Sequence, residues 1–201
     1  FLDAPYPPEL PVVAACKRCN ESFSLDEQYL ACFLDCVVCG GTEGSHLLRT
    51  NVKRIFDGNP ALKQRIESAK RMIAPGDSRW EAEPDRVRNV VLKLAKGHTA
   101  YELYPKLEDP DEVSIVPMQM LNEEKRLAFE QPTANRLKFW PEIGSRSFLR
   151  AFGKFPDRLE QSGEWIMVQP DRYRYAVAET NGVLVRMVLS EYLCCMVHWE
   201  E

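Results

Sequence analysis

No apolar run in this chain approaches the ~20 residues that a membrane-spanning helix needs, and no segment repeats or falls into low complexity. Those two absences argue against a helical membrane protein and against a solenoid. There is no glycine-rich phosphate loop and no G-x-S-x-G elbow. A P-loop nucleotide site and an α/β-hydrolase nucleophile are therefore not expected. Histidine is scarce, with only His46, His98 and His198, so any general-base chemistry by imidazole has three candidates at most.

What is present is a core. Hydrophobic residues make up 45% of 201 residues, which suits one large or two small domains and argues against disorder. The seven cysteines are Cys16, Cys19, Cys32, Cys36, Cys39, Cys194 and Cys195. An odd count with C-x-x-C spacing points to metal or to free thiols in a reducing compartment, hence a cytoplasmic protein, more than to a disulfide framework.

Charge is unevenly spread. Residues 1–41 carry two basic and six acidic side chains, a sum of -4, and residues 47–97 carry twelve and six, a sum of +6. Residues 98–130 carry three and eight, a sum of -5. Only 47–97 has the sign for a phosphate-facing surface. Solvated faces of ordinary helices are the plainer reading of the same charges.

Periodicity predicts an α+β protein with a helical middle and a C-terminal antiparallel sheet. Ser24-Leu25-Asp26-Glu27 fits a capping box, and Tyr29, Leu30, Phe33, Leu34 and Val37 follow at helical spacing until Gly40-Gly41. Asn59 and Pro60 open a second helix, read as reaching Ile73 before Pro75-Gly76. Pro84 opens a third, read as ending at Lys96 with Gly97 beyond it. Trp165–Val168, Arg172–Thr180, Val183–Leu189 and Tyr192–Trp199 read as strands, and Asn181-Gly182 is a strong hairpin signal. Residues 105–147 are broken by prolines and read as short mixed elements.

Cys16-x2-Cys19 followed by Cys36-x2-Cys39 matches zinc-ribbon spacing. A helix over 25–38 would hold the two pairs on the order of 20 Å apart, whereas zinc–sulfur bonds are ~2.3 Å. The geometry thus favours Cys32, Cys36 and Cys39 as buried residues of one helix face. Cys194 and Cys195 fall on opposite faces of a strand. A site from Cys36, Cys39 and His46 would want a fourth ligand. His98, beside Lys93 and Lys96, suits phosphate contact or a base, with packing the plainer reading. Arg172 and Arg174 with Tyr173 and Tyr175 could form a nucleic-acid platform or simply one solvated sheet face.

The stretch Leu10-Pro11-Val12-Val13-Ala14-Ala15-Cys16-Lys17-Arg18-Cys19-Asn20 resembles the C-terminal half of the HNH endonuclease motif. Cys16 and Cys19 match its second zinc knuckle and Asn20 its last letter. The first knuckle and the Asp-His strand are not in these 201 residues, Glu9 stands where the family has its middle Asn, and the chain starts at Phe1. The expectation is an N-terminally truncated or degenerate bacterial member with a long C-terminal extension. The resemblance implies a partial treble-clef, or ββα-metal finger, over 1–41 and an extension of unknown role over 42–201. It implies structural Zn²⁺ on Cys16 and Cys19, Mg²⁺ or a similar ion for catalysis with Asn20 helping to hold it, and nucleic acid as partner, DNA in preference to RNA. A non-catalytic zinc-stabilised module that binds nucleic acid or protein is the alternative.

Overall fold

A computed structural model describes residues 2–7, 10–74, 77–103, 108–131, 160–162 and 164–200. The protein is mixed α and β. Its residues divide into two compact units, Cys16–Val90 and a second made of Phe1–Ala15 with Val91–Glu201.

The first unit is helical. Helix α1 spans Lys17–Cys39, α2 Thr50–Gly58 and α3 Pro60–Ser68. The 23-residue α1 ends in a Schellman turn: Gly40, at φ 72°, donates to the Val37 carbonyl at 3.2 Å, and Gly41 to the Cys36 carbonyl at 3.0 Å. Asn59 caps α3 as its sequence suggests, its Oδ1 accepting from the Leu62 N–H at 3.1 Å. A small antiparallel hairpin follows, β1 Lys70–Ala74 and β2 Asp77–Trp80. The core is aromatic and aliphatic: Tyr29 stacks on Phe33, Trp80 meets Phe33 edge-on with centroids 6.1 Å apart, and Leu30, Leu34, Val52, Phe56 and Ile66 are buried with them. Asp35, also buried, pairs with Arg49 at 3.8 Å.

Helix α4 spans Pro84–Glu102, and the unit boundary falls inside it. The second unit is built on a six-stranded antiparallel sheet. With β3 at Glu112–Pro117, β4 at Glu160–Ser162, β5 at Trp165–Gln169, β6 at Tyr173–Thr180, β7 at Gly182–Leu189 and β8 at Leu193–Trp199, the order is β3-β8-β7-β6-β5-β4. The ladder aligns Tyr175, Met187 and Cys195 on one face, and Arg174, Val188 and Cys194 on the other. Both faces are covered, which is why β7 and β8 are apolar almost throughout. The second face buries Met118, Trp165, Ala176, Val188 and Cys194 under Leu121 and Phe129; Phe129 belongs to α5, Glu123–Glu130. There Trp165 lies between two guanidinium groups, Arg174 at 4.6 Å and Arg186 at 5.3 Å from its ring. Each is anchored by carboxylates, Arg174 by Glu130 and Glu191, Arg186 by Glu164. The N-terminal arm is tied to the β5–β6 turn, where Arg172 Nε donates to Asp3 at 2.6 Å and Gln169 exchanges two bonds with the Asp3 backbone.

Several elements differ from their sequence reading. Ser24 caps nothing: α1 starts seven residues earlier, and the Ser24 hydroxyl donates back to the Glu21 carbonyl in mid-helix. The helix from Pro60 stops at Ser68, and Lys70–Ala74 is strand, because its Ile73 leaves the helical stripe for an exposed ribbon. Helix α4 runs through Gly97 to Glu102, since the tertiary contacts of His98, Thr99 and Glu102 outweigh the modest helix cost of one glycine. Among the described residues no strand precedes α1. Residues 132–147 of the proline-broken stretch lie outside the described residues.

The Asn181-Gly182 turn closes β6 onto β7, with Thr180 paired to Gly182. Gly182 has φ 107°, and a Cβ there would sit 1.9 Å from the Trp199 carbonyl oxygen. Gly182→Ala is expected to cost about 1–3 kcal/mol from the backbone conformation alone, with the clash added. A lowered urea midpoint checks this, and an unchanged one would refute it.

Candidate functional site

The C-x-x-C pair that motivates the nuclease resemblance sits at the start of α1. Cys16 directly precedes the helix, and its carbonyl accepts the Asn20 N–H at 2.9 Å, one of the first backbone bonds of the helical ladder. Cys16 and Asn20 are both exposed. Lys17 and Glu21 flank them as a fully solvated i,i+4 pair. The side chain of Cys19 lies outside the described residues.

The other cysteines are elsewhere. Cys16 and Cys36 are separated by twenty helical positions, about 30 Å along an unbroken axis. Cys32 and Cys36 are fully buried. Burial, with the nearby Asp35 charge adding, pushes the Cys32 thiol up to about 12, and burial raises Cys36 as well. These are protonated packing groups, as their helical spacing suggests. Among the described residues no group of three or more His, Cys, Asp or Glu side chains converges as a metal site. His46 is exposed on the loop after α1.

A second concentration of polar chemistry lies inside the sheet unit. Ala95, His98, Thr99 and Glu102 share one stripe of α4 and are buried. His98 stacks on Tyr175 with centroids 3.7 Å apart, and its Nε2 is hydrogen-bonded to the Tyr173 hydroxyl. The Tyr175 hydroxyl donates to Glu102 Oε1 at 2.7 Å. Thr99 donates back to the Ala95 carbonyl. Among the described residues, buried His98 Nδ1 has no hydrogen-bond partner. Desolvation holds the His98 imidazole down at about 3 and Tyr173 well above the usual phenol range. At neutral pH His98 is thus an uncharged ring sealed from water, a packing histidine and not a solvent-reaching base.

The same geometry removes the platform reading of β6. Tyr173 and Tyr175 point into the core, so neither can stack on a base. Arg174 faces the opposite side and is held by two carboxylates. Alternation identified the strand, but one buried face and one ion-paired face replace the single solvated one.

Beside α5 a groove of about 430 Å³ is lined by Val116, Leu121, Phe129, Leu184, Cys194 and Met196, with Lys125 and Arg186 also on its wall. It contains no carboxylate and no imidazole. Burial lifts the Cys194 thiol to about 11, so that cysteine is protonated at neutral pH.

Several cations of the basic stretch are ion-paired. Arg49 meets Asp35, Lys63 meets Glu43, Arg65 meets Glu83, Arg71 meets Glu81, and Arg86 meets Asp26 and Glu83. These pairs favour ordinary solvated helix faces over one continuous phosphate-binding surface. No helix among the described residues is long and apolar enough to cross a membrane. Comparison with protein-family models, with curated proteins and with solved structures finds no match to this chain.

Proposed function

We propose that this chain belongs to an HNH-type endonuclease, in which residues 1–41 supply the second zinc knuckle and the helix behind it. One observation carries the reading: an exposed Cys16 stands directly before the first turn of a long, uninterrupted helix that also carries Cys19 and Asn20. A structural zinc finger uses its second C-x-x-C this way, because two sulfurs one turn apart can grip one side of an ion while the helix runs on into the core. Unbroken α1 also keeps Cys36 and Cys39 away from that ion, so the other two ligands have to come from outside α1.

The donors fit half of a zinc site: Cys16 and Cys19 would hold the ion, and the ion would fix the helix start. Asn20 alone does not make a Mg²⁺ site, and no step is assigned through that ion. Phosphodiester hydrolysis needs a general base to activate water. Buried His98 is unsuited to it, and the HNH resemblance assigns that role to the histidine of its Asp-His strand. DNA is the favoured substrate class. If the protein binds zinc and nucleic acid but cleaves nothing, the non-catalytic module takes the place of the nuclease.

The test uses the chain as its gene encodes it. One zinc per chain is expected by native mass spectrometry. Cys16→Ser and Cys19→Ser should each lose it, while Cys36→Ser keeps it. Nicking of supercoiled plasmid with Mg²⁺ should fall at least about tenfold in Asn20→Ala, without loss of zinc. Zinc retained in Cys16→Ser, or lost in Cys36→Ser, would sink the knuckle assignment.

A further inference from the structure

Helix α5 covers one end of a sheet face and leaves the rest open. Its eight residues span about 12 Å, whereas the eight residues of β7 extend about 27 Å. Burial along the strands follows the difference. On the α5 side Val188 and Cys194 are buried, while Leu184 and Met196, further along the same strands, are only half-buried. On the opposite side of β8, Cys195, Val197 and Trp199 are all buried. In β3, Ser114 pairs in register with Met196 and Val116 with Cys194, and both β3 residues are half-buried too. The groove of about 430 Å³ lies along this step between helix and sheet.

Polar contacts hold the step open. Arg186 donates to the Phe129 and Gln131 carbonyls at 2.8 and 2.6 Å, and Trp165 to the Glu130 carbonyl at 3.2 Å. Arg174 grips both Glu130 carboxylate oxygens, at 2.7 and 2.8 Å. A helix tethered by its last turn need not settle its whole length onto the strands. What remains has the size and apolar lining of a small-molecule pocket, about 300–1,000 Å³ with a few polar groups.

The charge on the wall has one sign. No carboxylate lines the groove. The Arg186 guanidinium is committed to Glu164 and the α5 carbonyls. Lys125 stands exposed on the wall and makes no ion pair among the described residues. Glu123 and Glu124 precede it on α5 but do not line the groove. An apolar trough with one ammonium at its rim suits an alkyl chain that ends in a carboxylate. The chain would remove half-buried Val116, Leu184 and Met196 from water, and the acid would keep its solvation at the rim beside Lys125.

We propose that this groove binds a free medium-chain acyl carboxylate, its tail along β3, β8 and β7 and its head at Lys125. Every group involved lies in the sheet unit, so the site stands apart from the nuclease reading.

The test is isothermal titration calorimetry of the full chain with monomeric dodecanoate at neutral pH. One site per chain is expected, with a micromolar Kd and a negative heat-capacity change from apolar burial. The dodecyltrimethylammonium cation has the same tail and the opposite charge, and should bind at least about tenfold more weakly; this comparison needs no variant. Lys125→Glu should raise the dodecanoate Kd by about tenfold or more. Ala128→Trp, which places an indole in the groove from an exposed helix position, should abolish binding. Melting temperatures within a degree or two of the parent would show that both variants fold. Absence of saturable binding to the parent would overturn the proposal, as would equal affinity for the two head groups or an unchanged Kd in the folded variants. Two further outcomes would also overturn it. One is co-sedimentation with phosphatidylglycerol vesicles that Ala128→Trp removes, which would make the groove a membrane contact. The other is a parent dimer that Ala128→Trp dissociates in analytical ultracentrifugation, which would seat a second copy there.

Discussion

Tyr175→Ala is expected to remove about 5 kcal/mol from the stability of the sheet unit, enough to leave it largely unfolded under mild conditions. Tyr175 is fully buried on β6. Truncating a buried aromatic costs about 3–5 kcal/mol in lost transfer energy and residual cavity. The Tyr175 hydroxyl also donates to Glu102, itself buried on α4. Withdrawing a donor from a polar group shielded from water adds about 1–3 kcal/mol. The His98 ring loses its stacking surface as well. Domain stabilities are typically about 5–15 kcal/mol, so the sum is comparable with the whole. Tyr175→Phe separates the two contributions: it keeps the ring and should lose only about 1–3 kcal/mol. Urea titrations followed by far-ultraviolet circular dichroism measure both. Equal midpoints for the two variants would mean that ring packing contributes little, and that the Tyr175 ring is not what holds α4 to the sheet.

The cluster also shows where sequence reading reaches its limit. Its helical half was legible: Val87, Val90, Val91 and Leu94 mark a stripe, and Pro84 marks the start of α4. Its strand half was legible too, through the alternation around Tyr173 and Tyr175 and the turn at Asn181-Gly182. What joins them was not. His98 and Tyr173 are 75 residues apart and Glu102 and Tyr175 are 73 apart, and nothing in local periodicity encodes which stripe meets which face. Tyr173 and Tyr175 could therefore be read as part of a nucleic-acid platform or a solvated sheet face, although packing was already the plainer reading for His98. The hairpin β1–β2 failed for another reason. Ile66, Ala69 and Ile73 continue a helical stripe on paper, and only the absence of anything for Ile73 to pack against ends it.

The helical placement of the N-terminal C-x-x-C-N stretch was legible because it is local. Cys16-x2-Cys19-Asn20 is a spacing along one turn, and the helix it opens is continuous through Cys39. The start of that helix was misjudged because Ser24 and Glu27 have the right identities for a capping box while sitting in its interior. A serine can satisfy its hydroxyl on a carbonyl of the preceding turn, as Ser24 does on Glu21. A capping signature therefore marks a helix start only where no helix precedes it.

Acidification is expected to weaken the sheet unit from about pH 6.5 downward, well before its carboxylates titrate. His98 titrates near 6.5 in an unfolded chain but is held at about 3 in the folded one. Below 6.5 the unfolded state therefore binds a proton that the folded state refuses. Stability is complete above 6.5, declines as the pH falls, and stops declining near 3. The slope is at most about 1.4 kcal/mol per pH unit, so about 2 kcal/mol between pH 6.5 and 5 and a ceiling near 5 over the full window. Local opening around the ring would lower that ceiling by letting water reach the charge. Glu130 acts in a separate window. The Arg174 hydrogen bond lowers its carboxyl, so its contribution is present above about 4.5 and lost only as the pH falls below that. Between pH 6.5 and 5 the two do not overlap. His98→Gln can still hydrogen-bond the Tyr173 hydroxyl but carries no titrating group. Its stability should therefore be lower than the parent's at pH 7.5 and nearly flat down to pH 5. Urea midpoints of parent and variant at half-unit steps decide the matter, and parallel curves would mean that the buried imidazole takes up its proton without cost.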